Sequence, residues 1–350
     1  MNDQIIDLRS DTITRPTPEM LQAMHGAKTG DDVFAEDPIT VELQERCAAL
    51  FGHEAALYCP SGTMTNQIAI NVHVRPGDEV ICDRKSHIYN YEGGGIARNS
   101  GASVRLLEGN NGRFIWSDVE KEINPSDSHY SRSSLVSVED TCNRGGGSVW
   151  NMDDLRGIQA GCARSNLPLH LDGARVWNAV IARNENKVPS EEVWRNYGQT
   201  FDSISICFSK GLGAPVGSVL IGNRDFIAEA HRTRKVLGGG MRQIGGLAAA
   251  CMHALDCELP RMNQDHFHAQ ALAKSLEEVN CVESIEPVET NIVIFSLKSN
   301  VSPDRFVKWA EKQGISCFPF GGQKVRFVTH RDVSQEHIER ACKILGQAEL

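Results

Sequence analysis

One lysine of the chain stands at the end of an apolar, strand-like segment and is followed at once by glycines. The segment runs from Ile204 to Phe208, and Lys210 opens the glycine-rich turn 210–217. A lysine in this position lies at the rim of a sheet, where open α/β sheets bind their ligands, and the glycines leave room for a flat ligand to approach. Three roles for Lys210 stay open at this point: a Schiff-base amine, an anion clamp, or a solvated loop charge, which is what most lysines are.

Groups suited to a phosphate and to a ring nitrogen occur at two other predicted strand ends. Ser61, Gly62 and Thr63 lie at a strand-to-helix turn, where free backbone N–H groups and hydroxyls at the positive end of a helix can cradle a phosphate. Asp172 ends another apolar strand, and a carboxylate there can keep a pyridine nitrogen protonated, as an electron-sink cofactor requires. An ordinary helix cap explains either feature by itself. The loops typical of nucleoside triphosphate and dinucleotide sites are absent from the sequence.

Two histidines are candidates for moving protons or for stacking on a ring. His87 and His129 lie in polar loops, and an imidazole changes its charge near neutral pH. An exposed histidine without a function is an equally good interpretation of His129, and a weaker one of His87.

Three arginines are candidates for binding anions. Arg326 alternates with apolar residues in a predicted strand, Arg175 follows Asp172, and Arg242 is predicted to open the helix 242–257. A cation in the first turn of a helix is locally disfavoured, which suggests an anionic partner for Arg242. Arginine forks match carboxylates and phosphates, with surface charge as the alternative for each. The lysine, the aspartate, the phosphate cradle and the arginines together indicate pyridoxal phosphate acting on an amino acid.

Composition limits the classes of partner. The 350 residues are 41% hydrophobic, which is ordinary for a soluble α/β enzyme, and the net charge of −9 argues against nucleic acid or an anionic membrane. The eleven cysteines form no Cys-x-x-Cys pair, so they predict neither a disulfide framework nor a metal site. No apolar run has the length of a signal peptide or a membrane span, and we expect a cytoplasmic protein.

Strand patterns that alternate with helix patterns must position these groups. From residue 55 onward the alternation predicts an α/β fold with a mostly parallel sheet and helices on both faces. Near residue 258 the pattern changes to a compact α+β unit. We therefore predict an N-terminal arm over 1–45, a large ligand-binding domain over 46–257 and a small C-terminal domain over 258–350.

The motifs as a set resemble the low-specificity L-threonine aldolases, which are fold-type I pyridoxal-phosphate enzymes. The resemblance covers nearly the whole chain and implies an aspartate aminotransferase-like large domain with a seven-stranded sheet. The segments that carry it are Asp7–Pro16, Gly30–Val33, Pro60–Met64, Ser86–His87 with Glu92–Gly94, His170–Arg175, Ser209–Ser218, Gly238–Gln243 and Val325–His330.

The resemblance implies a role for each candidate that could touch the cofactor, pyridoxal 5'-phosphate. Lys210 would form the Schiff base with it, Asp172 would pair with its ring nitrogen, and His87 would stack on the ring. The residues implied to complete its binding are Ser61, Gly62, Thr63, Arg175, Ser209 and, from a neighbouring subunit, Arg242.

The implied substrate is a small amino acid. Ser10, Arg175 and Arg326 would bind its carboxylate, and His129 would lie near its hydroxyl. The implied reaction is retro-aldol cleavage of L-threonine or L-allo-threonine to glycine and acetaldehyde, with His87 or His129 as the base. The resemblance also implies a homo-oligomer, built from dimers that share active sites and assembled into a tetramer.

Two other functions stay open. A pyridoxal-phosphate β-lyase or aminotransferase would share the cofactor residues and differ in which bond of the substrate is aligned. A non-catalytic binding protein on the same scaffold is the second alternative.

The sequence departs from the family pattern in two places. Phe34-Ala35 stands where the family more often has Tyr-Gly. Asp140 and Cys142 stand where the family usually has asparagine and histidine. The lysine, the aspartate and the arginines are intact, so we expect an active protein.

Overall fold

The computed structural model describes residues 5–350, in which a seven-stranded sheet joins a smaller four-stranded one. The larger sheet has the order β2-β8-β7-β6-β5-β3-β4, and the smaller has the order β12-β13-β10-β9. The strands are β1 (Ile6–Asp7), β2 (Ala55–Cys59), β3 (Glu79–Asp83), β4 (Ser103–Leu107), β5 (Ser133–Glu139), β6 (Leu169–Gly173), β7 (Ser203–Cys207), β8 (Ser218–Gly222), β9 (Val282–Ile285), β10 (Ile292–Leu297), β11 (Ile315–Ser316), β12 (Phe318–Pro319) and β13 (Lys324–Val328).

Helices cover both faces of the larger sheet and one side of the smaller one. They are α1 (Pro18–Gly26), α2 (Pro38–Phe51), α3 (Gly62–His73), α4 (His87–Asn90), α5 (Gly95–Ser100), α6 (Trp116–Glu122), α7 (Met152–Arg164), α8 (Val176–Arg183), α9 (Glu191–Gly198), α10 (Arg224–Val236), α11 (Gly245–His253), α12 (Asn263–Leu276), α13 (Pro303–Lys312) and α14 (Gln335–Leu345). None of the helices within residues 5–350 is both long and apolar enough to cross a bilayer.

The larger sheet is parallel except for one strand. β8 runs antiparallel to both of its neighbours, and the pairs from β7 through β4 are all parallel. The prediction of a mostly parallel sheet flanked by helices is therefore confirmed. Because parallel strands end at a common edge, the segments after β2, β3, β5, β6 and β7 meet at one side of the sheet.

Short polar residues fix where the early helices begin and end. The Thr17 hydroxyl accepts a hydrogen bond from the backbone of Met20, and Pro18 fills the first position of α1. Asp37 and Pro38 repeat the arrangement at the start of α2, and Gly52 ends that helix in the left-handed conformation at φ 71°.

The two largest hydrophobic cores change over along the chain near the start of α12, since the last member of one is Met262 and the other, apart from Ile6 and Leu8, begins at Ala269. The larger core contains Phe51, Trp177 and Phe208, and the second contains Phe295 and Phe327. Residues at the start of the chain join the second core, because β1 pairs in parallel with β11. The predicted boundary at residue 258 falls at the end of a π-helical turn whose Ala254 and Leu255 belong to the larger core, and we retain the division as a proposal.

The predicted start of the helix after Gly240 is wrong by three residues. α11 begins at Gly245, so Arg242 precedes the helix and the helix-dipole argument for its anionic partner fails. The carboxylate of Asp37 explains the later start, because its Oδ2 accepts the Gly245 backbone N–H at 2.9 Å. Arg242 instead pairs with Asp31 at 2.8 Å and is 56% exposed.

One of the departures from the family pattern places an alanine in a conformation that suits glycine. Ala35 ends the short 3₁₀ helix Asp32–Phe34 at φ 57° and ψ 34°, where a Cβ crowds the following carbonyl. We expect Ala35→Gly to raise the free energy of unfolding by about 1 kcal/mol. The midpoint of denaturant unfolding measures the change.

Ala27→Gly is the matched control. Ala27 also follows a helix, but its φ of −68° suits any residue, so its replacement should leave the midpoint unchanged or lower it. Equal effects of the two substitutions would show that Ala35 is not strained.

Candidate active site

The carboxyl edge of the larger sheet brings together groups from distant parts of the chain. Asp172 pairs in register with Glu139 of β5 on one side and with Ser205 of β7 on the other. Lys210 follows the end of β7, and the turn 61–63 follows the end of β2. The structure thus places three predicted groups, which are Asp172, Lys210 and the turn 61–63, and the unpredicted carboxylate of Glu139 at a single edge.

The turn after β2 is open to an anion. Ser61 caps α3 by accepting the backbone N–H of Met64 at 3.2 Å, and the N–H groups of Gly62 and Thr63 have no acceptor within residues 5–350. A Cβ on Gly62 would meet nothing closer than the Ser218 hydroxyl at 3.7 Å. That hydroxyl is buried and has no partner among the described residues. A phosphate at this helix N-terminus would find free donors and room.

Lys210 has a fixed backbone and an uncommitted amine. Its carbonyl accepts hydrogen bonds from the Thr14 hydroxyl and from the Gly213 N–H, both at 2.8 Å. Its side chain is half-buried, and its ammonium has no hydrogen bond or ion pair within the described part of the chain. The amine is therefore positioned by its strand and arm while remaining available for a ligand.

Asp172 belongs to a buried network of carboxylates and amides. The side-chain N–H₂ of Asn66 donates to Asp172 at 2.9 Å and to Glu92 at 2.8 Å. Gln67 donates to the other oxygen of Glu92 at 2.6 Å, and the Nδ1 atom of His87 lies 3.0 Å from Glu92. Ligand atoms of His87, Glu92 and Asp172 lie within 4.8 Å of one another. That spacing would also suit a metal ion, but the facing carboxylate oxygens already accept these hydrogen bonds.

The charges around His87 govern its protonation. Burial lowers the pKa of the imidazole, but the hydrogen bond to Glu92 and the charges of Asp172 and Glu139 outweigh burial, so the pKa lies above its ordinary value. Burial, and next the charge of Asp172, raise the pKa of Glu139 to about 7. Glu139 accepts the backbone N–H groups of His87 at 2.8 Å and of Asn143 at 3.0 Å.

The predicted carboxylate-binding arginine Arg175 already holds a carboxylate. Its Nε and Nη2 donate to the two oxygens of Asp11 at 2.7 and 2.6 Å, and both side chains are buried. Burial opposes ionisation of Asp11, but the charges of Arg175 and Lys210 hold the pKa of its carboxyl well below the ordinary range. Arg175 therefore offers a substrate only its remaining Nη1 edge.

Arg326 has a hydrogen-bond donor without an acceptor among the described residues. Its Nη1 donates to Asn143 at 2.8 Å and its Nη2 to the Arg9 carbonyl at 3.1 Å, both neutral acceptors. Its Nε is buried without a partner among residues 5–350. Burial, and next the charge of Arg175, lower the pKa of Arg326 to about 10. An incoming anion would relieve both the unsatisfied donor and the repulsion.

Of the other predicted residues, Ser10 and Ser209 lie next to residues of this site and His129 lies away from it. The Ser10 hydroxyl accepts from Thr12 beside Asp11, and Ser209 lies next to Lys210 with its hydroxyl 3.4 Å from the Cys207 thiol. His129 is not brought to the edge in this chain. It lies in the loop before β5, at the opposite end of that strand, with 87% of its side chain exposed and its Nδ1 2.7 Å from Asp127.

Several residues of the site were not predicted from the sequence. They are Asp11, Asn66, Glu92, Glu139 and Asn143. A usable signal was present for Glu139, which ends a buried strand as Asp172 does. Polar residues in fully buried positions indicate hydrogen-bonded networks.

The arrangement fits the cofactor that the sequence indicates. A free helix N-terminus suits a phosphate, a buried carboxylate suits a ring nitrogen, and an unpaired amine suits a carbonyl carbon.

Comparisons with known proteins give the same result. Residues 7–300 match the family model of the beta-eliminating lyases. The chain is 39% identical over 337 residues to the low specificity L-threonine aldolase of Escherichia coli O157:H7, covering 95% of this chain and 96% of that protein. It is 37% identical over 353 residues to the low-specificity L-threonine aldolase 1 of Arabidopsis thaliana, covering 99% and 96%.

A solved structure extends the match to the fold. The threonine aldolase of Leishmania major superposes with a TM-score of 0.82 at 20% identity, covering 97% of this chain and 98% of that one. The predicted fold-type I architecture is thereby confirmed. From the motifs, the family match and these identities over nearly the whole chain, the protein belongs to the beta-eliminating lyase family and, within it, to the low-specificity L-threonine aldolases.

Proposed function

We propose that the protein is a pyridoxal-phosphate-dependent carbon–carbon lyase that cleaves L-threonine or L-allo-threonine to glycine and acetaldehyde. Its relatives carry this activity in their names. The observation that carries the proposal is the meeting of an unpaired lysine, a buried carboxylate and an under-satisfied arginine at one sheet edge. A larger β-hydroxy amino acid would use the same groups.

Pyridoxal phosphate, when bound, supplies an electron sink for the substrate bond that breaks. In the proposed arrangement Lys210 is the amine that joins the cofactor to the chain. Asp172 would pair with the ring nitrogen, and Gly62 and Thr63, with Ser61 and Ser209 beside them, would hold the phosphate.

The arginines orient the substrate by its carboxylate. Arg326 exchanges neutral acceptors for a charged one, and the Nη1 of Arg175 adds a second contact, with the Ser10 hydroxyl nearby. Fixing the carboxylate at this end determines which bond of the α-carbon faces the ring.

His87 is the proposed base. Since a carboxylate cannot donate, the bond to Glu92 places a proton on the Nδ1 of His87, so in the neutral imidazole Nε2 is the acceptor for the proton of the substrate hydroxyl. His129 lies at the other edge of its own sheet, so it takes part only if another copy of the chain presents it.

We further propose a homo-oligomer in the cytoplasm, with a tetramer as the expected state. Phe34 and Tyr130 are exposed large side chains, 69% and 56% accessible in the single chain, and Arg242 is directed outward from the same region as Phe34. All cysteines of the described residues are unpaired thiols, which suits a reducing compartment.

The two alternatives predict other products. A β-lyase or aminotransferase would form an oxo acid from cysteine or glutamate and release no acetaldehyde from threonine. A binding protein would release neither.

Lys210→Ala tests the cofactor and the reaction together. We expect the wild-type protein with pyridoxal phosphate to show a visible absorption band and to release acetaldehyde from L-threonine or L-allo-threonine, and the variant to lose both to background. Absorption spectra and a coupled aldehyde assay measure them.

Lys187→Ala is the control, because Lys187 is an exposed lysine paired only with Glu185. If the wild type shows the absorption band but releases no acetaldehyde, the proposed aldolase activity is overturned and the proposed binding of pyridoxal phosphate stands. An unchanged band in Lys210→Ala would remove Lys210 from its role.

Arg326→Gln tests the carboxylate site. Loss of a charged hydrogen-bond donor should lower kcat/KM for L-threonine by about 10- to 100-fold, mainly through KM, while the cofactor band persists. Steady-state kinetics with the holoenzyme measure the effect. Arg305→Gln, on the exposed surface of α13, should behave as wild type. An unchanged KM in Arg326→Gln would exclude this residue from substrate binding.

A further inference from the structure

A line of buried polar side chains runs from Asp172 away from the site, between α3 and the sheet. The carbonyl of the Asn66 side chain lies 3.2 Å from Nε2 of His170, whose Nδ1 lies 2.9 Å from the Ser203 hydroxyl. The same hydroxyl lies 2.8 Å from Nε2 of His73. His170 and Asp172 are two residues apart on one face of β6, so the line starts at the ring-facing carboxylate.

The chemistry of the groups gives every one of these hydrogen bonds a single direction. Asn66 uses both amide hydrogens on Asp172 and Glu92, because ionised carboxylates only accept. The flipped amide would set its oxygen against two anions, so the Asn66 carbonyl must face His170. Only a protonated Nε2 of His170 can donate to it.

The remaining two bonds follow. A neutral His170 with its proton on Nε2 accepts at Nδ1, so the Ser203 hydroxyl must donate to it. The Ser203 oxygen then accepts from Nε2 of His73. All five bonds point toward the carboxylates.

Burial keeps the imidazoles neutral, as this direction requires. His170 and Ser203 have no exposed surface. Burial, and next the proximity of His73, lower the pKa of His170 to about 3, and burial lowers that of His73 to about 4. His73 also stacks on Phe226 with ring centroids 4.7 Å apart, so its ring is held in place.

We propose that Asn66, His170, Ser203 and His73 form a one-way hydrogen-bond chain that locks Asp172 toward the cofactor ring and Glu92 toward His87, and that they are positioning residues of the reaction. The inference rests on the proposed function for what Asp172 and His87 do, and on the contacts above for the chain itself. Asn66 is the hub, since its one amide group holds both carboxylates.

The chain accounts for how Asp172 keeps its orientation beside the second carboxylate, Glu92. Asp172 accepts only from Asn66 and, at 3.2 Å, from the Ala174 N–H among residues 5–350, so its orientation depends on the amide. Hydrogen bonds in a line polarise one another, which strengthens the donor that faces the anions. Rotation of the Asn66 amide would break its hydrogen bonds to Asp172 and to Glu92 at the same time.

The first test observes the protons in the cofactor-free protein. A neutron crystal structure of the deuterated wild-type apoprotein should show deuterium on Nε2 of His170, none on its Nδ1, and the Ser203 deuteroxyl directed at that Nδ1. Deuterium on Nδ1 of His170 would overturn the proposal. This result does not depend on whether the protein is an aldolase.

The second test measures the binding of pyridoxal phosphate to the apoprotein. Ser203→Ala and His170→Phe interrupt the line and should weaken binding by about tenfold. His170→Gln keeps a donor and an acceptor and should recover most of the loss. Ser205→Ala is the matched control: it lies two residues along the same face of β7 but contacts Thr65 at 2.5 Å instead of the line, so its affinity should equal that of the wild type.

The two tests separate the inference from the proposed function. Equal affinities of Ser203→Ala, His170→Phe and wild type would refute the positioning role even if the aldolase activity is confirmed. If the neutron structure shows the expected proton positions but the protein releases no acetaldehyde, the hydrogen-bond chain is supported and only the proposed aldolase activity is rejected. In the holoenzyme, a change in the pH dependence of the absorption band of Ser203→Ala, absent from Ser205→Ala, is the spectroscopic sign expected of positioning.

Discussion

Three carboxylates are buried side by side at the carboxyl edge of the larger sheet, and their need for hydrogen-bond donors shapes the site. Glu92, Glu139 and Asp172 all lie within reach of His87, and none of them has a lysine or arginine ion pair among the described residues. Buried carboxylates without such a partner need oriented hydrogen-bond donors in addition to His87, whose Nδ1 lies 3.0 Å from Glu92. The amide of Asn66 and backbone N–H groups supply these, so the helices and turns that carry them cannot move independently of the strands.

The other end of the site meets the opposite requirement, because it holds two buried arginines and one carboxylate. Asp11 pairs with Arg175 through a two-pronged bond, leaving Arg326 with an excess of donors beside a like charge. Asp11 belongs to the N-terminal arm, and it also accepts from Asn291 of the second core at 3.3 Å. The anion-binding end therefore exists only when the arm and both cores are docked on one another, which couples the fold of distant segments to substrate binding.

The sequence predicts the charged residues at strand ends better than the buried hydrogen-bond partners that hold them in place. The alternation of strands and helices from residue 55 onward was predicted correctly, because turn and capping residues separate the elements. Lys210 and Asp172 were found because charged residues after apolar strands must emerge at the rim. Asn66 was missed because a polar residue in a helix reads as solvent-facing until the packing of the neighbouring sheet is known. His129 shows the converse limit: a loop residue can be recognised by its neighbours in sequence, yet its distance from a site depends on which edge of the sheet the loop serves.

The departure at Asp140 does not interrupt this network, because its carboxylate bonds to residues outside it. The Oδ2 atom of Asp140 is paired with Arg183 and accepts the Tyr197 hydroxyl at 2.9 Å, while its Oδ1 is buried without a partner among the described residues. Burial raises the pKa of Asp140, with Arg183 opposing it. Toward the site, residue 140 contributes only its backbone N–H, which donates to the Asp172 carbonyl at 3.0 Å and is common to every residue type except proline. An aspartate at position 140 therefore makes the same backbone bond to Asp172 as an asparagine would. The donors to the Asp172 carboxylate, which are Asn66 and the Ala174 N–H, are not affected.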